Sequence, residues 1–94
     1  MITITSTATT VTVDMGVYYT NKAVPFKRGF WRKDQIHYIF ENTDHVEIDA
    51  SDKNDWILAF DSGGVGQRYQ VATIDGAAPT SNSDLFDKLT ALIS

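Results

Sequence analysis

Three stretches of this chain hold residues whose types and spacing invite chemistry. Asp61-Ser62-Gly63-Gly64 repeats four letters found around the nucleophile of two-barrel serine proteases. That reaction needs a histidine base, a buried aspartate and an oxyanion hole held by a large scaffold. Here the chain is less than half the size of such a scaffold, and Phe60 stands where a glycine is expected. The same glycines could suggest a phosphate loop. That loop needs a lysine and a hydroxyl residue opening a helix, whereas Gly63, Gly64 and Gly66 run into the strand-like Arg68-Tyr69-Gln70-Val71. The stretch reads as a glycine-rich hairpin turn.

The second stretch groups Asp49, Asp52 and Asp55, which raises calcium. Its spacing lacks the alternate acids, the sixth-position glycine and the closing glutamate of a calcium loop, so a solvated acidic hairpin is the plainer reading. His37 and His45, with Glu41 and Asp44 nearby, could hold a metal. Pairing two strands about the turn "ENTD" sets His37 nearer Ile48 than His45, so the rings do not converge. Asp14, Asp34 and Glu41 are scattered, and no two can be set face to face as general acid and base. With no cysteine there is neither a thiol nucleophile nor a thiolate metal site. The expectation is a protein with no catalytic residues, no metal, no cofactor and no small-molecule substrate.

The third stretch is "VPFKRGFWRK", residues 24–33, in which Lys27, Arg28, Arg32 and Lys33 interleave with Phe26, Phe30 and Trp31. Those four cations carry +4 of a total of −4, so the rest of the chain sums to −8. Aromatics between cations are how single-stranded nucleic acid is held. A nucleic-acid binder, however, usually shows a basic domain rather than a basic island. The competing readings are a contact site for an acidic protein partner and a loop pinned by its aromatics, with Gly29 marking a turn or bulge. Protein contact ranks first, because arginine and tryptophan are enriched among residues that carry binding energy. The candidate partner-binding residues are Lys27, Arg28, Phe30, Trp31, Arg32 and Lys33. An acidic hairpin such as residues 41–55 of a neighbouring copy would complement them.

The elements that must position these residues follow from hydrophobic period. Ile2 and Ile4 alternate with threonines, as do Val11 and Val13; the same period links Ile36, Tyr38 and Phe40, then Val46 and Ile48, then Trp56, Leu58 and Phe60, then Tyr69 and Val71. Alternation of β-branched and aromatic residues marks half-buried strands, and the threonines are most simply the solvent face of the first two. At "DGAAPTS" the period changes. Leu85, Phe86, Leu89, Leu92 and Ile93 lie on one face of a helix, and Ser81 with Asp84 resembles a capping box with a short acid. The spacing predicts a mainly β domain over residues 1–94: an antiparallel meander, sandwich or barrel of six or seven strands across about 2–74, closed by a C-terminal amphipathic helix over about 81–93. No apolar run approaches the ~18 residues that cross a bilayer, and the first ten residues lack the basic start of a secretory signal.

The opening "MITITSTATTVTVDMGVYYT" and the closing "YQVATIDGAAPTSNSDLFDKLTAL" resemble small structural proteins of bacteriophages, in which a β-rich body leads into a final helix. The residues that carry the resemblance are Val71, Asp75, Gly76, Pro79, Thr80, Asp84, Leu85, Phe86, Lys88 and Leu89, and it spans the first 20 and last 25 residues. It implies a non-enzymatic capsid- or tail-associated protein, made in the host cytoplasm and resident in the virion. Its partners would be other virion proteins or copies of itself; the −8 remainder disfavours nucleic acid, and the lack of a long apolar run argues against a membrane span. The alternative is a small β-barrel binding module, pleckstrin-homology-like or nucleic-acid-binding, using the basic aromatic stretch 26–33.

Overall fold

A computed structural model describes residues 2–16, 27–43, 45–50, 55–59 and 68–94. Among these described residues seven strands, β1 (Ile2–Ser6), β2 (Thr10–Asp14), β3 (Arg28–Arg32), β4 (Ile36–Glu41), β5 (Val46–Ala50), β6 (Asp55–Ala59) and β7 (Arg68–Ile74), precede helix α1 (Asn82–Ile93). A 3-10 turn, Lys33–Gln35, joins β3 to β4. In β1 and β2 the alternation of the sequence is the alternation of the fold. Ile2, Ile4, Val11 and Val13 are buried, while Thr3 and Thr5 face water.

The strands follow the order β3-β2-β1-β7-β6-β5-β4. Among the described residues no ladder joins β3 to β4, so the order does not close into a barrel. Two antiparallel three-stranded leaves, β3-β2-β1 and β6-β5-β4, meet at β7, which lends Arg68–Gln70 to β6 and Val71–Ile74 to β1. Both of those ladders are parallel, which corrects the expectation of a purely antiparallel arrangement. Parallel neighbours usually need a crossover of a dozen or more residues. Here the β6–β7 ladder spans only Ile57–Ala59 against Arg68–Gln70. Residues 60–67, which carry Ser62 and the glycines, lie outside the described residues, but the strands they join have the wrong relative direction for a hairpin. Asp52 also lies outside them; its neighbours Asp49 and Asp55 are paired in the β5–β6 register.

Strand β4 departs from strict alternation. Ile36 pairs with Ala50 and Tyr38 with Asp49, so His37 is the extra residue of a β-bulge. One extra residue reverses the faces that follow. Ile36 and Ile39 pack against the core, and Phe40, expected inside, is 52% exposed.

After β7 the chain reverses at Asp75-Gly76, both with positive φ (49° and 84°), between Ile74 and Ala77, which exchange backbone hydrogen bonds of 2.8 and 3.0 Å. Two positive φ values are what a type I′ turn requires, and Asp-Gly is a favoured pair for it. Pro79 is buried beyond this turn. Helix α1 starts at Ser81, whose hydroxyl accepts the Asp84 N–H at 3.0 Å. It lays Leu85, Leu89 and Leu92 into the core against β4, β5 and the 3-10 turn. The space left between α1 and the sheet is about 10 Å³ and walled by Ile4, Val11, Val13, Ile36, Ile39, Ile48, Leu89, Leu92 and Ile93. Such walls offer water no hydrogen bonds, so the void is dry. No helix of the described residues is long and apolar enough to cross a membrane.

Candidate interaction face on strands β3 and β4

Phe26 lies outside the described residues, and within the rest of the basic aromatic stretch Arg28–Arg32 form a strand at the end of the sheet, not a loop. Five residues, Arg28–Arg32, pair antiparallel with Asp14–Thr10 of β2. Beyond the ladder, Met15 donates its N–H to the Lys27 carbonyl at 2.9 Å, and Lys33 donates to the Thr9 carbonyl at 2.8 Å. A strand sorts its side chains by twos, and this sorting divides the candidate residues. Arg28, Phe30 and Arg32 are exposed, whereas Trp31 turns inward and retains 8% of its surface. Trp31 is thus a core residue paired with Val11, and among the described residues of the stretch the exposed aromatic is Phe30, at 68%.

Gly29 is neither a turn nor a bulge. It pairs with Val13 in mid-strand, and a Cβ built there would lie 1.8 Å from Cη2 and 1.9 Å from Cζ3 of Trp31. The glycine lets the indole fold back over the strand. The signal was present in the sequence: cations at Arg28 and Arg32 two and two residues from Phe30 put Gly29 and Trp31 together on the opposite face.

Polar neighbours complete the exposed side. Across the ladder Arg28 stands opposite Asp14, Phe30 opposite Thr12, and Arg32 opposite Thr10. The row continues through β1, where Thr3 pairs with Asp14 and Thr5 with Thr12. Arg32 Nε lies 3.3 Å from Asp34 Oδ1, and its backbone N–H donates to Gln35 Oε1 at 3.0 Å. Lys27 is exposed and Lys33 half-buried. Thr12, Lys27, Arg28, Gly29 and Phe30 line an open depression at this edge.

A second exposed aromatic group lies on β4, at the other end of the strand order. The rings of Tyr38 and Phe40 stack with centroids 4.4 Å apart, and Phe40 pairs in register with Glu47 of β5. Glu41 follows on the same strand, its carboxylate accepting from the Ser83 hydroxyl of α1. Sequence reasoning put Phe40 in the core, because nothing local to the sequence announces the bulge at His37.

The two histidines sit at opposite ends of the β4–β5 ladder. His37 is exposed in the bulge between the Ala50 and Asp49 pairings. The His45 ring contacts Asn42 Nδ2 at 3.2 Å and Glu47 Oε1 at 3.1 Å through Nε2. Among the described residues no three His, Asp or Glu side chains are grouped to hold a metal. The arrangement on β3 offers apolar contact, cation–π contact and charge-assisted hydrogen bonds, which is the chemistry of binding. Comparison with protein-family models, with curated proteins and with solved structures finds no match.

Proposed function

We propose that the chain is a non-enzymatic assembly protein of a bacteriophage virion, capsid- or tail-associated, that works through protein–protein contacts centred on the outer face of β3. The observation that carries this reading is Phe30, 68% exposed between Arg28 and Arg32 on a terminal strand. An exposed ring flanked by arginines supplies both apolar area and directional charge, which is the composition of a binding centre. The likeness of both chain ends to small phage structural proteins supplies the setting, and the surface charges fix register more than affinity.

The test replaces Arg28 and Arg32 together with glutamate in particles assembled from otherwise native components. Both side chains are exposed, so the circular dichroism spectrum should be unchanged while incorporation into the particle falls. Incorporation at the native level would sink the reading. An Arg–Phe–Arg strand face is also the kind of surface on which bases stack. Binding of a single-stranded oligonucleotide with a steep salt slope, lost in the same variant, would replace protein contact with nucleic-acid contact.

A further inference from the structure

We propose that copies of this chain join head to tail, the β3 face of one copy against the β4 face of the next. The inference rests on the assembly reading and names its partner as a second copy of the chain. Phe30 and Phe40 are the exposed large hydrophobic residues of the described chain, and they fall on β3 and β4, the two terminal strands of the order. Exposed rings at both ends of one sheet are two half-sites.

Their surroundings carry opposite charge. Around Phe30 stand Lys27, Arg28 and Arg32 against Asp14 and Asp34. Opposite Phe40 stands Glu47, while Glu41 lies on the other side of the strand with Val46, and no lysine or arginine occurs between Lys33 and Lys53. Glu47 is held in place by the His45 ring. A fixed carboxylate gives up less side-chain entropy when it meets an arginine.

Like faces do not fit each other. An antiparallel β3–β3 pairing centred on Phe30 sets Arg28 of each copy opposite Arg32 of the other, and like charges directly opposite are destabilising. Two β4 faces would set Glu47 of one copy near Glu47 of the other in the same way. The unlike pairing places Phe30 against the Tyr38–Phe40 stack, where aromatic pairs at centroid spacings of roughly 4.5–7 Å are favourable. It also brings Arg28 and Arg32 within reach of both the ring faces and Glu47. A contact between two different faces leaves one of each kind free at the ends, so it propagates into a ring or a filament. Repeated growth of that kind is what a shell or tail component needs.

The experiment is sedimentation of the purified full chain over a concentration series, with Phe30→Ser, Phe40→Ser and an equal mixture of the two. Both side chains are more than half exposed, so the variants should keep the native circular dichroism spectrum. The wild type should grow beyond a dimer as concentration rises. Each variant alone should associate roughly tenfold or more weakly, as loss of a central aromatic contact does. The mixture should form dimers and stop, because each mixed pair retains one intact β3 face and one intact β4 face. Association of Phe40→Ser at wild-type strength, or a mixture no better than its separate parts, overturns the proposal. A wild type that stays monomeric throughout also overturns it. If the glutamate variant of Arg28 and Arg32 is nevertheless excluded from particles, the broader assembly reading survives with a different partner.

Discussion

The Trp31 indole occupies the space that any side chain at Gly29 would need, with ring carbons 1.8 and 1.9 Å from where a Cβ would stand. Trp31 is buried in the core, so it cannot swing into water to make room without exposing a large apolar surface. Gly29→Ala should therefore destabilise the fold by about 1–3 kcal/mol, the usual penalty of overpacking a filled core. In a domain of this size that lowers the melting temperature by about 4–8 °C per kcal/mol. Chemical denaturation of the two proteins measures it. Equal midpoints would mean that the indole does not lie over the strand.

Leu89 is 3% exposed and faces the sheet from the middle of α1. If α1 is docked rather than displayed, Leu89→Ala should cost about 2–5 kcal/mol, through lost transfer energy and the cavity left behind. Ala91, exposed on the same helix, is the control: Ala91→Ser should stay within about 0.5 kcal/mol, as surface changes usually do. Equal effects at the two positions would show that the helix leaves the sheet in solution.

How much of this was legible in the sequence depends on how local each decision is. The helix was expected over about 81–93 and occupies Asn82–Ile93, because the period of Leu85, Leu89 and Leu92 and the cap at Ser81 are written within a dozen residues. Strands β1 and β2 were equally plain. The parallel ladders of β7 were not, since Ile2↔Val71 and Leu58↔Tyr69 are decided by which distant strands bury each other's faces. Of the candidate residues, Arg28, Phe30 and Arg32 are exposed, whereas Trp31 belongs to the core. Clustered charge suggests a loop, but the two-residue period across Arg28, Phe30 and Arg32 sends Trp31 inward. Phe40 was lost to a one-residue bulge at His37, which changes every face after it and leaves no trace in composition.

The turn that leads into α1 is tied to the first strand. Asp75 Oδ1 accepts the Ser6 N–H at 2.7 Å and Oδ2 accepts the Ser6 hydroxyl at 2.5 Å, while the Asp75 N–H donates to the Ile4 carbonyl at 2.9 Å. Asp75→Ala removes two hydrogen bonds to a carboxylate at an exposed site, which should cost about 1–2 kcal/mol, near the low end for charged acceptors. Asp75→Asn keeps an acceptor and the tolerance for positive φ, so its loss should be smaller. At Gly76 the surrounding space is open but φ is 84°. Gly76→Ala should accordingly cost about 1–2 kcal/mol from backbone conformation alone. Amide exchange at Ser6 reads the clamp directly: it should quicken in Asp75→Ala. Unchanged exchange there would refute it.

The start of α1 should carry its own pH dependence. The Asp84 carboxylate takes the Lys88 ammonium at 3.0 Å on both oxygens and the Thr80 N–H at 2.9 Å. The Lys88 hydrogen bond, then the Thr80 N–H, hold its pKa below the ordinary value. A true capping box would bond the N–H of the cap residue, which is Ser81; the carboxylate here reaches one residue further back, to Thr80. A carboxyl whose pKa is lower folded than unfolded stabilises the fold fully above the unfolded value, about 3.9 for aspartate. That contribution fades as pH falls through the folded value, because the unfolded chain binds the proton first. Asp84→Asn should thus melt below the wild type at neutral pH by a gap that stays constant down to about pH 5 and narrows below about pH 4. Comparing the two proteins at each pH cancels the titration of the other carboxylates. Thermal unfolding from pH 7 to pH 2 makes the measurement, and a gap that persists undiminished to pH 2 would show that Asp84 does not act through its charge.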